Sequence, residues 1–490
     1  MAAESECIKS HVIMISVPYQ GHINPFVSLA LKLASNGFSI TFVHFEFVHH
    51  KLSKALNSNN TSSTEVDLFS EARESGLDVR YTTIEDGFSS EFDRELHFEK
   101  YWESITFDLL GMIDKFVGKT IQSDPNSVHF LVADCVYAWP GAIADKYNLV
   151  NVSFWTEPAL VFSLQYHMEL LREKGHFPCK GNIDEEINYI PGVESISTRD
   201  FMPYLKKAES EYVPTRAASV AFERVKKADF ILHNTVYELE SQTLSALSTY
   251  QPNYAIGPIK FFKNIPTNDV SKSFWSETDC TNWLDSKSPG SVLYVSFGSF
   301  VPTSKQVIEE LAYGLLLSEV NFIWVIRPGI LGSADNNVLP FGFEDEIKDK
   351  GLIIPWCNQI KVLSDPAVGG FLTHCGWNST LESMWCGVPM ICYPMDWDQP
   401  VNRKLVVDDW KIGINLCEYG TSVDRKKVAE KIKKLMSGNT SKSLRQEADN
   451  VKAILQKAVE IDGLSEGSFA QFINDLRKNL HETALNVNKK

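Results

Sequence analysis

Apolar runs of strand length that lack polar alternation recur along the 490-residue chain, at 11–19, 38–45, 79–84, 129–135, 150–155 and 228–235. A run with no polar alternation belongs to a strand buried on both faces, which is how parallel sheets read. Stretches of helical period separate the runs: over Pro25–Asn36, Phe26, Leu29, Ala30 and Leu33 share one face and Gly37 supplies a stop signal. Asn24 reads as the cap of that helix and Pro25 as its first residue. Strand and helix in alternation predict an α/β chain with parallel sheets covered by helices on both faces.

The pattern lapses around 260–280, a polar and weakly periodic stretch after Phe262 that suits a linker, and then restarts. SVLYVSFGS (291–299) is a strand, Ser304–Ser318 a helix, and NFIWVIR, GLIIPWC, VGGFLTHC and PMICYP are further buried strands, with helices from 424 to 436 and beyond. The predicted architecture is two Rossmann-like doubly wound domains facing across a cleft. The first spans 1–259, the linker 260–280, the second 281–465, and a last helix (466–490) packs back on the first. A Ser/Asn-rich stretch near 57–64 reads as a surface insertion. Ligands of such sheets bind at the carboxyl ends of the strands, so the cleft is the expected site.

A balance of 47 basic against 62 acidic residues gives a net charge of −15, which disfavours nucleic acid and anionic membranes as partners. Nine cysteines without a CxxC pair read as free thiols of a reducing compartment. With no signal-peptide pattern and no apolar run of about 18 residues, a cytoplasmic, probable-monomer enzyme without a membrane span is expected.

The densest cluster of chemistry runs from Phe371 to Glu382, where a buried strand enters a glycine turn and then a helix starting at Asn378 or Ser379. Free backbone N–H groups and the positive helix end converge there on a place for a phosphate, with His374, Asn378 and Ser379 as further donors. Ser379 and Glu382 also fit a capping box, a purely structural alternative. Trp356 could stack on a base or be a core tryptophan. Asp398 and Gln399, after the strand PMICYP, can hydrogen-bond a hydroxyl-rich ligand. Asp396-Trp397-Asp398 is a DxD pattern, but no further ligand cluster accompanies it, so no metal and no cofactor are expected. In the first half, PYQGHINP puts His22 at a helix start, where the positive end disfavours imidazolium and leaves a neutral base. Asp134, at the end of a buried strand, is the carboxylate that would orient it.

The segment Trp356–Gln399 resembles the signature box of plant secondary-product (family 1) UDP-glycosyltransferases of GT-B fold: Trp first, Gln fourth, HCGWNS in the middle, then Glu382, GVP and a closing Asp-Gln. GHINP, Asp134, SFWT ending at Thr156, Pro191-Gly192 and YVSFGS extend the resemblance over the chain. It implies that Trp356 stacks on uracil, Cys357 offers its backbone to the uracil edge, and Gln359 and Glu382 hold the ribose. His374, Asn378, Ser379 and Ser299 would contact the diphosphate, and Trp377, Asp398, Gln399 and Thr156 the sugar. His22 would be the catalytic base and Asp134 its partner, in an inverting, metal-independent glucosyl transfer from UDP-glucose to a small apolar acceptor. Cys357-Asn358 and Trp397 depart from commoner members. Phe88, Trp139, Phe162, Tyr166, Phe201 and Trp397 are the expected acceptor pocket. A dinucleotide oxidoreductase would need GxGxxG after a strand, which does not occur, and a serine hydrolase would need GxSxG at the nucleophile, whereas Ser299 sits in FGSF. A non-catalytic binding protein on the same fold, or a transferase of another UDP-sugar, is the remaining alternative.

Overall fold

The computed structural model describes residues 9–57, 67–179, 184–262, 273–332, 338–417 and 421–487. The Ser/Asn-rich insertion therefore lies largely outside the described residues, as does Cys7. The first sheet is built from β1 (Ser10–Ile15), β2 (Ser39–Phe45), β3 (Val79–Ile84), β4 (Val128–Asp134) and β5 (Val150–Trp155). A short antiparallel hairpin, β6 (Glu186–Ile187) with β7 (Ile196–Ser197), stands outside it, and β8 (Phe230–His233) and β9 (Asn253–Ala255) complete it. The seven strands run parallel in the order β3-β2-β1-β4-β5-β8-β9. The second sheet holds β10 (Val292–Ser296), β11 (Asn321–Val325), β12 (Gly351–Ile354), β13 (Val368–Thr373), β14 (Met390–Cys392) and β15 (Gly413–Asn415). Its six parallel strands are ordered β12-β11-β10-β13-β14-β15.

Every residue of β2, β5, β10 and β13 is buried, which is why these strands read as unbroken apolar runs. In both sheets the order reverses beside the first strand, between β1 and β4 and between β10 and β13, and such switch points open a crevice at the carboxyl ends. The first helix differs from its expected start. It runs Gln20–Ser35 with Tyr19 at its N-cap, so Asn24 is not a cap and Pro25 lies inside the helix. Proline lacks an N–H, so the Gly21 carbonyl four residues earlier loses its intrahelical donor. The Asn378 side-chain amide from the second domain donates to that carbonyl at 2.9 Å.

The C-terminal helix, Leu464–Val487, packs on the first domain. Phe472 sits against Phe230 and Tyr254, Asp475 accepts from the Tyr254 hydroxyl at 2.7 Å, and Glu466 pairs with the buried Lys32 at 2.6 Å. The stretch between the domains is anchored where it is described: Phe261 stacks on Trp385 at 4.2 Å, and Trp275 lies 4.6 Å from Trp356. Among the described residues, no helix is long and apolar enough to cross a membrane. Phe472→Ala would empty a fully buried ring site at the junction of the last helix with the first domain, at a cost of about 3–5 kcal/mol. Chemical denaturation should show the loss; an unchanged midpoint would mean that the helix contributes nothing to the first domain.

Candidate active site

The carboxyl ends of β1, β4 and β5 meet at one imidazole. Asp134 is the last residue of β4, beside the end of β1, and its side chain is only 1% exposed. Its Oδ2 lies 2.7 Å from His22 Nδ1, and the Val17 and Val136 backbone N–H groups donate to its carboxylate at 3.4 and 3.3 Å. A carboxylate only accepts, so the proton of the neutral ring sits on Nδ1 and Nε2 keeps a free lone pair. The Thr156 hydroxyl, just past β5, is 3.1 Å from the same Nδ1. Thr156 thus braces the imidazole, and it also lines the cavity, where the resemblance implies a sugar contact. The electrostatics also differ from the helix-dipole expectation. Burial pulls the His22 pKa down, but the charge and hydrogen bond of Asp134, with Asp398 adding, raise it above the ordinary value. Two carboxylates outweigh one helix end.

Across the cleft, β13 ends at Thr373 and the chain turns through His374, Cys375 (φ 67°) and Gly376 into the helix Trp377–Cys386. Gly376 is the N-cap, so the helix starts one or two residues before its expected start, and its first N–H groups have no intrahelical acceptor. No side chain caps it; the capping-box reading of Ser379 and Glu382 does not hold. His374 is roofed by backbone on two sides: a Cβ at Gly298 (φ 72°) would fall 2.4 Å from its ring, and one at Gly376 2.5 Å. Burial lowers its pKa to about 4, so near pH 7 His374 is neutral and can offer an N–H donor without a charge.

Glu382, on the same helix, faces back over the crevice. Its Oε2 accepts from Gln359 Nε2 at 2.7 Å and its Oε1 pairs with Lys260 Nζ at 2.9 Å. Gln359 also reaches Ser379 Oγ at 3.0 Å, and the Tyr294 hydroxyl donates to its Oε1 at 3.3 Å. Trp356, Cys357, Gln359, Ser299, Asn378, Ser379 and Glu382 all line one continuous cavity with His22 and His374. Cys357 itself is buried.

The loop after β14 carries the remaining donor-side groups. Gln399 Oε1 accepts from the Met395 and Asp396 backbone at 2.8 and 3.0 Å, so its amide N–H₂ is what remains for a ligand. Asp398 takes an amide hydrogen from Asn402 at 2.5 Å, yet burial still pushes its pKa up to about 6. Trp377, implied as a sugar contact, gives its indole N–H to the Asn234 carbonyl of the first domain at 2.8 Å. Its polar atom therefore joins the domains.

Of the six residues expected around the acceptor, Trp397 alone lines the cavity. Phe88 stacks on Phe92, and Trp139 is buried beside Tyr137. Phe162 is core among Trp155 and Phe222, Tyr166 packs on its outer side, and Phe201 is fully buried. Those are aromatics of a large core, which sequence cannot separate from cavity aromatics. The actual wall includes Tyr19, Trp102, Phe300, Tyr204 and Trp397, with Trp102 and Phe300 at 5.5 and 6.4 Å from the Trp397 ring. Sequence reasoning found Trp397 and missed Tyr19, Trp102, Phe300 and Tyr204, together with Lys260 and Glu157. The one signal for Glu157 was its place directly after Thr156.

The family model described as "UDP-glucoronosyl and UDP-glucosyl transferase" matches residues 223–446. UDP-glycosyltransferase 86A1 of Arabidopsis thaliana is 49% identical over 98% of this chain and 97% of its own length. The 7-deoxyloganetin glucosyltransferase of Catharanthus roseus is 34% identical over 96% and 97%. Among solved structures, Medicago truncatula UGT71G1 complexed with UDP-glucose superposes with a TM-score of 0.76 at 25% identity, covering 96% of this chain and 98% of that one. Two Rossmann-like domains, with relatives matched over nearly the whole chain, make this a GT-B glycosyltransferase that uses a UDP-sugar on small-molecule acceptors. The chain belongs to the plant family 1 UDP-glycosyltransferases.

Glu382→Ala would strand Gln359 and Lys260 and remove a charge-assisted partner of the ribose hydroxyls. UDP affinity, measured by calorimetry, should fall by roughly 1–3 kcal/mol. Unchanged affinity would leave Glu382 a purely structural group.

Proposed function

We propose that this enzyme transfers glucose from UDP-glucose, with inversion and without a metal, to a hydroxyl of a small apolar acceptor. The observation that carries the reading is the His22–Asp134 pair, 2.7 Å apart at the mouth of an aromatic-walled cavity. An alcohol holds its proton too tightly to attack unaided, so the base takes the proton as the new bond to the anomeric carbon forms. His22 Nε2 does this, and Asp134 fixes the tautomer and stabilises the imidazolium. The UDP leaving group is received by the N-terminus of the helix Trp377–Cys386 and by the neutral His374. Base and leaving-group site stand on opposite walls of the cleft, which supports in-line displacement and inversion from α to β.

Two further points support the finer reading. The Gln399 amide and the Asp398 carboxylate offer one donor and one acceptor to sugar hydroxyls, and some relatives are named as glucosyltransferases. For the metal, one oxygen of Asp396 accepts from the Trp397 N–H at 2.8 Å and one oxygen of Asp398 from the Asn402 amide, so each DxD carboxylate already has a protein partner. The buried thiols suit a reducing compartment, in keeping with a cytoplasmic monomer.

His22→Ala should lower turnover by about 10²–10⁴ while UDP-glucose affinity, set in the second domain, stays nearly constant. The base acts unprotonated, and its pKa lies above the ordinary 6.5. The acid limb of kcat/KM should therefore have its midpoint above 6.5 and move down in Asp134→Asn, where the raising carboxylate is gone. Full turnover in His22→Ala, or an acid limb indifferent to Asp134, would reject the mechanism. EDTA should leave the rate unchanged, whereas loss restored by magnesium or manganese would assign Asp396 and Asp398 to a cation.

A further inference from the structure

Glu157 is an acidic side chain of the cavity that the transfer does not use. Glu157 follows Thr156 directly, so it stands next to the residue that braces His22, and it lines the cavity on the acceptor side. Burial first, then the charges of Asp398 and Asp134, hold its carboxyl well above the usual range and favour the protonated form. A protonated carboxyl donates one hydrogen bond and still accepts others. The same cavity is lined by the apolar Trp155, Val136, Ala217 and Ala218 and by Tyr204, on which Glu157 acts after burial in raising the phenol pKa; Gln165 Nε2 is 2.5 Å from the Tyr204 hydroxyl. That hydroxyl, accepting from Gln165, keeps its own proton to give. Polar groups in an apolar wall are costly unless a ligand satisfies them.

Charge sets a second limit. Among the described residues lining the cavity, Lys260 is the only lysine or arginine, and its ammonium is taken by Glu382. An acceptor carboxylate would be buried near Asp398 with no free lysine or arginine to meet it.

Resting on the transferase reading above, we propose that Glu157 is a specificity-determining residue: it selects acceptors that carry a second, uncharged oxygen function away from the reacting hydroxyl, while the lack of a free cation in the lining excludes carboxylates. The second group is a hydroxyl or carbonyl, bonded by the Glu157 carboxyl and the Tyr204 hydroxyl.

The test uses the full-length enzyme, UDP-glucose and four matched probes: 2-naphthol, 2,6- and 2,7-dihydroxynaphthalene, and 6-hydroxy-2-naphthoate. In the wild type, kcat/KM per reacting hydroxyl should be roughly 10-fold higher for at least one diol than for 2-naphthol, and the naphthoate should be the poorest. Glu157→Gln, which keeps a donor and an acceptor but cannot ionise, should retain the diol preference. Glu157→Leu should erase the diol preference. The same ranking in Glu157→Leu as in the wild type, or naphthoate used as well as 2-naphthol by the wild type, would overturn the proposal. If the wild type transfers to none of the four, the donor or transfer reading fails separately. Binding of the same probes, followed by tryptophan fluorescence, then decides the role of Glu157 by the same ranking.

Discussion

A parallel sheet covered by helices on both faces leaves only the ends of its strands free to meet a ligand. That constraint governs this molecule twice. The first sheet places Asp134 at the end of β4 and Thr156 just past β5, so that both reach His22 in the helix that follows β1. The second sheet places His374 and the helix Trp377–Cys386 at the end of β13, next to the turn after β10. Neither set is a complete site. Base and leaving-group site become one reaction path only because the two carboxyl edges face each other.

The facing is held by polar contacts that consist largely of site residues. Asn378 reaches the Gly21 carbonyl, which Pro25 has released from its own helix. Trp377 reaches Asn234, Lys260 reaches Glu382, and the buried Arg403 on the second-domain side pairs with Asp200. Asn378 is thus placed one residue from the base on one side and at the phosphate end of a helix on the other. An amide has two N–H groups, so a bond to Gly21 leaves one for a phosphate. Donor site and base are linked by short, directional bonds, and the geometry of one sets that of the other.

Electrostatics divides the cavity in the same way. The donor wall treats negative charge with backbone amides, a neutral imidazole and a helix end. On the opposite wall carboxyls gather around one histidine: burial, with Asp396 adding, pushes Asp398 up to about 6, and burial, with Asp398 and Asp134 adding, pushes Glu157 well above the usual range. His22 of raised pKa thus stands among carboxyls that burial makes harder to ionise.

The sequence by itself determined the two parallel sheets, because a strand buried on both faces has to be apolar throughout, and it marked the donor segment, because Trp356 to Gln399 are close in the chain and are held by one strand–turn–helix succession. His22 and Asp134 were legible as well, each at the end of an apolar run. The start of the first helix was not: Pro25 looked like a first residue, and only the Asn378 amide, more than 350 positions away, makes a proline tolerable inside the helix by satisfying Gly21. The acceptor wall was not legible either. Phe162 and Phe201 are core while Trp102 and Phe300 face the cavity, and aromatic side chains read alike wherever they are buried. Which face of an element meets solvent, core or ligand is a property of how distant elements pack, and only the tertiary structure decided it.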